Sequence, residues 1–153
     1  MLFLVFQAGN ETYGLDARSV LEVAPYPECT PLPHAPAWVA GLTIWRGRTI
    51  PVVDLSALLI GKPAPALLST RLIVVGYTRP GGETHPLGLA AEKAVETVNM
   101  DDSEQAPPKV VIPEAPYLNG TCDAGGRLIH RMTVRELLPA EVQARLFPEP
   151  EAE

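Results

Sequence analysis

The stretch APAWVAGLTIWRGRTIPVVDLSALL, residues 35–59, is echoed by APYLNGTCDAGGRLIHRMTVRELL, residues 115–138, and this echo decides the fold. Both stretches open on Ala-Pro and reach a glycine, Gly41 or Gly120, within six residues. Each then sets a Gly-Arg pair, Gly47-Arg48 or Gly126-Arg127, eleven positions before a Leu-Leu pair, Leu58-Leu59 or Leu137-Leu138. The segments before them match as well. Leu4-Val5-Phe6, a turn, Glu11-Thr12, Gly14-Leu15 and Val20–Val23 run parallel to Ile73-Val74-Val75, a turn, Glu83-Thr84, Gly88-Leu89 and Val95–Val98. The chain therefore reads as two copies of one unit, each of roughly 70 to 80 residues. Solenoids generally need three or more repeats, so two copies predict a paired arrangement.

Within each copy the apolar runs are short and rich in branched residues. Leu2–Gln7, Val20–Val23, Leu42–Trp45, Thr49–Val53, Leu72–Tyr77, Leu87–Ala90, Val95–Met100 and Leu128–Thr133 are bounded by turn formers, which is a strand pattern. Gly9-Asn10 and Pro80-Gly81-Gly82 suit hairpin connections, because glycine and asparagine tolerate the positive φ of tight turns. Asp16 is placed to cap a short helical turn through Arg18, and Asp54 to cap Leu55–Leu59, which Gly61 and Pro63 end. The longest helical stretch is Val134–Phe147, divided by Pro139 so that a second segment opens at Ala140. Many short strands with regular turns predict an all-β fold of small closed barrels, since closure removes exposed edges. Approximate lobes fall at 12–60 and 70–133, with the N-terminal strand a candidate for sharing, and the helical segment at 134–147.

Bulk properties narrow the function. At 153 residues the chain is one domain or two small lobes on a shared core. Seventeen prolines are well above the usual ~5%, consistent with short strands and stiff loops. The net charge of −6, with acids at Glu149, Glu151 and Glu153, lacks the basic excess that grips phosphate backbones, so nucleic acid is not expected as a partner. Cys29 and Cys122 form no CxxC pair and read as reduced structural thiols. The start, Met1 to Phe6, has neither a basic leader nor the ~7–15 apolar residues of a signal-peptide core, and no run approaches the ~20 of a membrane helix. A cytoplasmic protein without membrane insertion is expected.

Catalytic signatures are missing. No Gly-x-Ser-x-Gly elbow, phosphate-binding Gly-x-x-x-x-Gly-Lys loop or Gly-x-Gly-x-x-Gly occurs. His34, His85 and His130 lack the spacing of paired metal ligands; His34 and His85 are expected in loops and His130 in a strand, and no metal or cofactor is expected. Asp101, Asp102 and Glu104 offer the carboxylates that acid–base work requires, but three unshielded acids in one loop read as solvated surface. Pro33-x-x-Pro36 has the spacing of an SH3 ligand, yet so proline-dense a loop reads first as stiffening. Trp38 and Trp45 flank Gly41, each a candidate for the core or for an interface anchor. Arg46, between an apolar strand and Gly47, reads either as a structural fork onto a carboxylate such as Asp54 or Glu22, or as a partner contact.

This constellation resembles the CheW family of chemotaxis coupling proteins. The matching stretches are FLVFQAGNETYGLDARSVLEV at 3–23, TPLPHAPAWVAGLTIWRGRTIPVVDLSALL at 30–59, STRLIVV at 69–75 and LGLAAEKAVETV at 87–98. They follow the family's order over nearly the whole chain. The resemblance implies two SH3-like five-stranded β-barrels related by pseudo-two-fold symmetry with an apolar seam between them. It also implies a non-enzymatic adaptor that joins the cytoplasmic tips of methyl-accepting chemoreceptors to the regulatory domain of a CheA-type histidine kinase, at the periphery of membrane receptor arrays. Carried over by motif, Leu15, Val20, Glu22, Trp45, Arg46, Leu89 and Val95 are expected on the receptor side, and Pro36, Val39, Gly41 and Leu42 on the kinase side.

Three departures bear on partner choice. The family's Asn-Leu-Arg-Gly turn is here Ile44-Trp45-Arg46-Gly47, its Val-Asp-Gly is Ala91-Glu92-Lys93, and its apolar last strand is His130-Arg131-Met132. Together with a start that carries no extension, they are more similar to couplers of Wsp-type surface-sensing arrays. The rival expectation is a small-molecule-binding sensor using the crevice between the two barrels.

Overall fold

A computed structural model describes residues 1–100 and 112–148, the Val95 side chain excepted. Asp101, Asp102 and Glu104, and the acids Glu149, Glu151 and Glu153, lie outside the described residues. The strands are β1 (Leu2–Ala8), β2 (Glu11–Asp16), β3 (Val20–Pro25), β4 (Val39–Trp45), β5 (Arg48–Asp54), β6 (Thr70–Thr78), β7 (Thr84–Asn99), β8 (Leu118–Ala124) and β9 (Arg127–Met132). The helices are α1 (Leu55–Ile60) and α2 (Ala140–Leu146), with 3-10 turns at Ala17–Ser19 and Val134–Glu136.

Local chemistry accounts for most of these boundaries. The side chain of Asp16 accepts from the Arg18 amide, and that of Asp54 from the Ala57 amide at 3.1 Å, so both caps stand where expected. Gly61 closes α1 in the left-handed conformation, and Pro139 opens α2. The two echoed glycines mark equivalent irregularities: Gly41 (φ +135°) and Gly120 (φ +92°) sit where the β4–β5 and β8–β9 registers slip. The echo is thus a bulged hairpin followed by a helical turn, written twice.

Strand pairing shows how the copies combine. One barrel has the order β4-β5-β7-β6-β3, the other β8-β9-β2-β1-β7. In each, the first and third steps are antiparallel hairpins, the second step is parallel and the fourth antiparallel. The two SH3-like five-stranded barrels are therefore related by a pseudo-two-fold. The leading hairpin of each copy, β1–β2 or β6–β7, lies in the barrel of the other copy.

Lobes drawn at 12–60 and 70–133 need correction on this point, since each span holds strands of both barrels. A parallel neighbour cannot be supplied by a tight turn and must arrive from distant chain, as β2 does beside β9. The runs 87–90 and 95–100 also prove to be parts of β7, whose first half pairs with β6 and β5 and whose second half pairs with β1. Lys93 turns the strand between those halves at φ +53°, with its amide on the Ser69 carbonyl at 2.8 Å.

Three apolar cores result. Ile50, Val52, Leu72, Val74 and Ala90 fill the first barrel, and Phe3, Val5, Met100, Cys122 and Ile129 the second. The third and largest lies between the barrels, where Phe6, Leu15, Leu89 and Tyr77 meet Leu137, Leu138, Val142 and Phe147 of the C-terminal segment. That segment is anchored on the β6–β7 hairpin: Phe147 stacks on Tyr77 (5.7 Å) and His85 (4.8 Å), and Arg79 donates to its carbonyl.

Candidate functional site

The β4–β5 hairpin turns on two residues, Arg46 (φ +49°) and Gly47 (φ +75°), closed by the Trp45–Arg48 pair. Positive φ at both positions matches the right-handed twist of the strands, but it strains a residue with a side chain. Arg46 is held there from two sides. Its Nη2 donates to Glu22 Oε1 at 2.8 Å, and its guanidinium lies 4.6 Å from the centre of the Trp45 ring. Trp45 Nε1 donates to the other oxygen, Glu22 Oε2, at 3.2 Å. One carboxylate on β3 therefore ties down both side chains of the turn, and the Arg46 bond, with the indole bond second, holds its pKa below the ordinary glutamate value. Of the two carboxylates considered for Arg46, Glu22 is the one engaged; Asp54 instead caps α1 and accepts from the Ala64 amide at 2.9 Å.

The other face of these strands is apolar and exposed. Along β3, Val20, Glu22 and Ala24 turn inward while Leu21 and Val23 stand exposed, and Ile44, one residue before Trp45, is 76% exposed. Sequence reasoning named Ile44 only as part of a departure from the family's turn and passed over Leu21 and Val23. The signal was present in the period-two alternation of β3, which puts Leu21 and Val23 on the face opposite Val20 and Glu22.

Other expected site residues hold the structure together. Leu15 and Leu89 are 0% exposed, at equivalent places in the seam, and have no surface to offer a partner. Val20 is half-buried against the same core. Val95 lies in the second half of β7. On the other expected face, Val39 is buried, Leu42 and Pro36 are half-buried, and Gly41 is enclosed. A Cβ on Gly41 would stand 2.0 Å from the Thr30 carbonyl oxygen, because Thr30 and Leu42 exchange two backbone bonds of 2.8 Å there. Pro33 and Pro36 border a small crevice against Leu146 of α2, and Arg145 donates to the His34 carbonyl, so this loop is braced by the C-terminal helix.

The remaining candidates are dispersed. His34 is in the loop expected of it, whereas His85 belongs to β7, because the hairpin continues through it to Thr84. His130 stacks on Tyr13 in β9 at 5.0 Å. Among the described residues, no three His, Cys, Asp or Glu side chains group so as to hold a metal ion. Cys29 and Cys122 are not joined in a disulfide, and burial raises the pKa of Cys29. A cleft of about 1020 Å³ opens between the barrels, flanked by the β6–β7 hairpin and the C-terminal segment.

Comparison with known proteins gives a consistent picture. The family model described as "CheW-like domain" matches residues 2–142. The chain is 26% identical over 144 residues to the chemotaxis protein CheW of Klebsiella aerogenes, covering 93% of this chain and 84% of that protein. It is 26% identical over 140 residues to CheW of Rhizobium meliloti, covering 90% and 87%. The crystal structure of the scaffolding protein TtCheW from Thermoanaerobacter tengcongensis superposes with a TM-score of 0.73 at 26% identity, covering 88% of this chain and 84% of that one.

Proposed function

Since this chain belongs to the CheW family of chemotaxis coupling proteins, whose members are non-enzymatic scaffolds, we propose that it fixes chemoreceptor tips and the regulatory domain of a CheA-type histidine kinase in one geometry. The observation that carries this reading is the exposed apolar face of β3 and the end of β4, backed by the Glu22–Arg46–Trp45 cluster on their other face. Exposed Leu21, Val23 and Ile44, on strands whose other face is pinned by that cluster, offer the kind of apolar surface that marks a protein-binding site. The receptor side is assigned to this face. The kinase side is assigned to the segment from Pro36 to Leu42, where buried Val39 and Gly41 shape the backbone and half-buried Pro36 and Leu42 retain exposed surface.

Affinity on such a face comes from aliphatic burial at ~25 cal/mol per Å², less the ordering costs of association. Among the described residues no helix is long and apolar enough to cross a membrane. We place the protein in the cytoplasm, reaching the membrane array through its partners.

The test is co-sedimentation of the full chain with receptor-bearing membranes and kinase. Ile44→Asp changes an exposed side chain and is expected to abolish receptor co-sedimentation while leaving the thermal melt unchanged. Val20→Asp is a poorer probe, because it would put a carboxylate against the seam core. Unchanged sedimentation of Ile44→Asp removes this face from the reading. Partners captured from the native cytoplasm and identified by mass distinguish a flagellar array from a Wsp-type one.

A further inference from the structure

The loop that leads into β4 is stiff, and its own backbone ties it loosely. Three of the six residues from Pro31 to Pro36 are prolines, which fix φ and have no amide hydrogen to donate. Within the loop the Ala35 amide reaches the Leu32 carbonyl only at 3.4 Å. His34, in the same stretch, stands in the left-handed region at φ +64°. A residue with a Cβ adopts that conformation at a cost and keeps it only where its surroundings impose it.

The C-terminal helix supplies that imposition. Arg145, in the last turn of α2, donates through Nη2 to the His34 carbonyl at 2.7 Å, a charge-assisted bond between residues 111 positions apart. Beside it Val142 and Leu146 share a crevice of about 130 Å³ with Leu32, Pro33, Ala35 and Pro36. The helix is itself fixed from elsewhere, by buried Val142 and by Phe147 on the β6–β7 hairpin. A loop stiffened by prolines moves as a unit, so one anchor at His34 also places Pro36, two residues on. The Pro36 carbonyl accepts the Val39 amide at 2.9 Å, and β4 begins there. Arg145 and His34 are both exposed. Water can therefore replace the lost donor, and removing it leaves no buried group unpaired.

We propose that Arg145 is a positioning residue for kinase coupling: through the His34 carbonyl it holds the proline loop in the one conformation that presents Pro36 to Leu42 to the kinase. The proposal rests on the assignment of that segment to the kinase side. It adds a residue far away in sequence that touches no partner and acts through the loop alone. The C-terminal helix is then a brace for the kinase face and no part of the face itself.

The experiment titrates the full chain calorimetrically with the purified regulatory domain of the CheA-type kinase from the same cell, and reads receptor co-sedimentation and the thermal melt on the same variants. Arg145→Ala is expected to weaken kinase binding about three- to tenfold, the worth of one hydrogen bond. It should also speed exchange of the Ala35 amide, while receptor co-sedimentation and the melt stay as in the parent. Arg145→Lys, which keeps a charged donor for the His34 carbonyl, should recover most of both losses. Lys62→Ala, the same charge loss on another exposed loop, should bind as the parent does. Ala37→Glu tests the kinase assignment by itself, since Ala37 is exposed within the segment; it is expected to abolish kinase binding. If Ala37→Glu abolishes binding and Arg145→Ala leaves it unchanged, the positioning role is overturned while the kinase face stands. If Ala37→Glu binds normally, the kinase face falls and the positioning role falls with it. Equal losses of receptor and kinase binding in Arg145→Ala would make the arginine a general structural tie and overturn the proposal, as would an unmoved Ala35 amide or an equal loss in Lys62→Ala.

Discussion

Glu22 and Arg46 meet at 2.8 Å across the first barrel, one from the middle of β3 and the other from the β4–β5 turn, and Trp45 shares the same carboxylate. The pair favours the ionised glutamate, so its folded-state pKa lies below the unfolded one. Its contribution is therefore complete above the ordinary glutamate range and is lost as pH falls through the depressed midpoint. An NMR titration should find Glu22 below the ordinary glutamate value, and Arg46→Ala should bring it back toward that value. An unmoved midpoint in Arg46→Ala would show that the indole, not the guanidinium, sets it.

Gly41 has no room for a methyl group. With the Thr30 carbonyl oxygen 2.0 Å from where its Cβ would stand, and φ at +135°, Gly41→Ala must break the Thr30–Leu42 bridge or shift β4. A loss of roughly 2–4 kcal/mol in urea unfolding is expected. Any effect of this variant on kinase coupling would then follow from the displaced backbone.

Lys93 adopts the left-handed conformation that glycine prefers, φ +53°. Lys93→Gly should stabilise the protein by about 0.5–1 kcal/mol, the relieved strain being partly offset by the greater freedom of glycine in the unfolded chain. Denaturation midpoints measure this directly. A destabilised Lys93→Gly would mean that the lysine side chain contributes more than its backbone costs.

Leu15 and Leu89 hold equivalent positions in the seam, so Leu15→Ala and Leu89→Ala should cost similar amounts, about 2–5 kcal/mol each. Both should lower the thermal midpoint before either alters partner affinity at low temperature. Selective loss of binding in a fully stable variant would return these residues to the interface.

Phe147 ties the C-terminal segment to the first barrel through its stack with Tyr77 and His85. Phe147→Ala should cost about 3–5 kcal/mol by removing a buried ring. Hydrogen exchange should rise first in α2 and in the loop braced through Arg145 and the His34 carbonyl.

What the sequence determined by itself was local and repeated. Branched runs between glycines specified strands, Asp16 and Asp54 specified caps, Pro139 specified a break, and the matched Gly41 and Gly120 announced two copies of one hairpin. Each of these depends on a few neighbouring residues, so it can be read without knowing the rest of the molecule. The tertiary structure alone decided that each copy lends its leading hairpin to the other, that residues 84–99 form one strand serving both barrels, and that Leu15 and Leu89 meet in the seam between them. Those outcomes are set by which distant strand arrives alongside. A parallel pair such as β2 and β9 joins segments more than a hundred residues apart, and periodicity specifies the inward face of a strand but not its neighbour. The cleft between the barrels belongs to the same class, because its lining comes together only when both barrels and the C-terminal segment have packed.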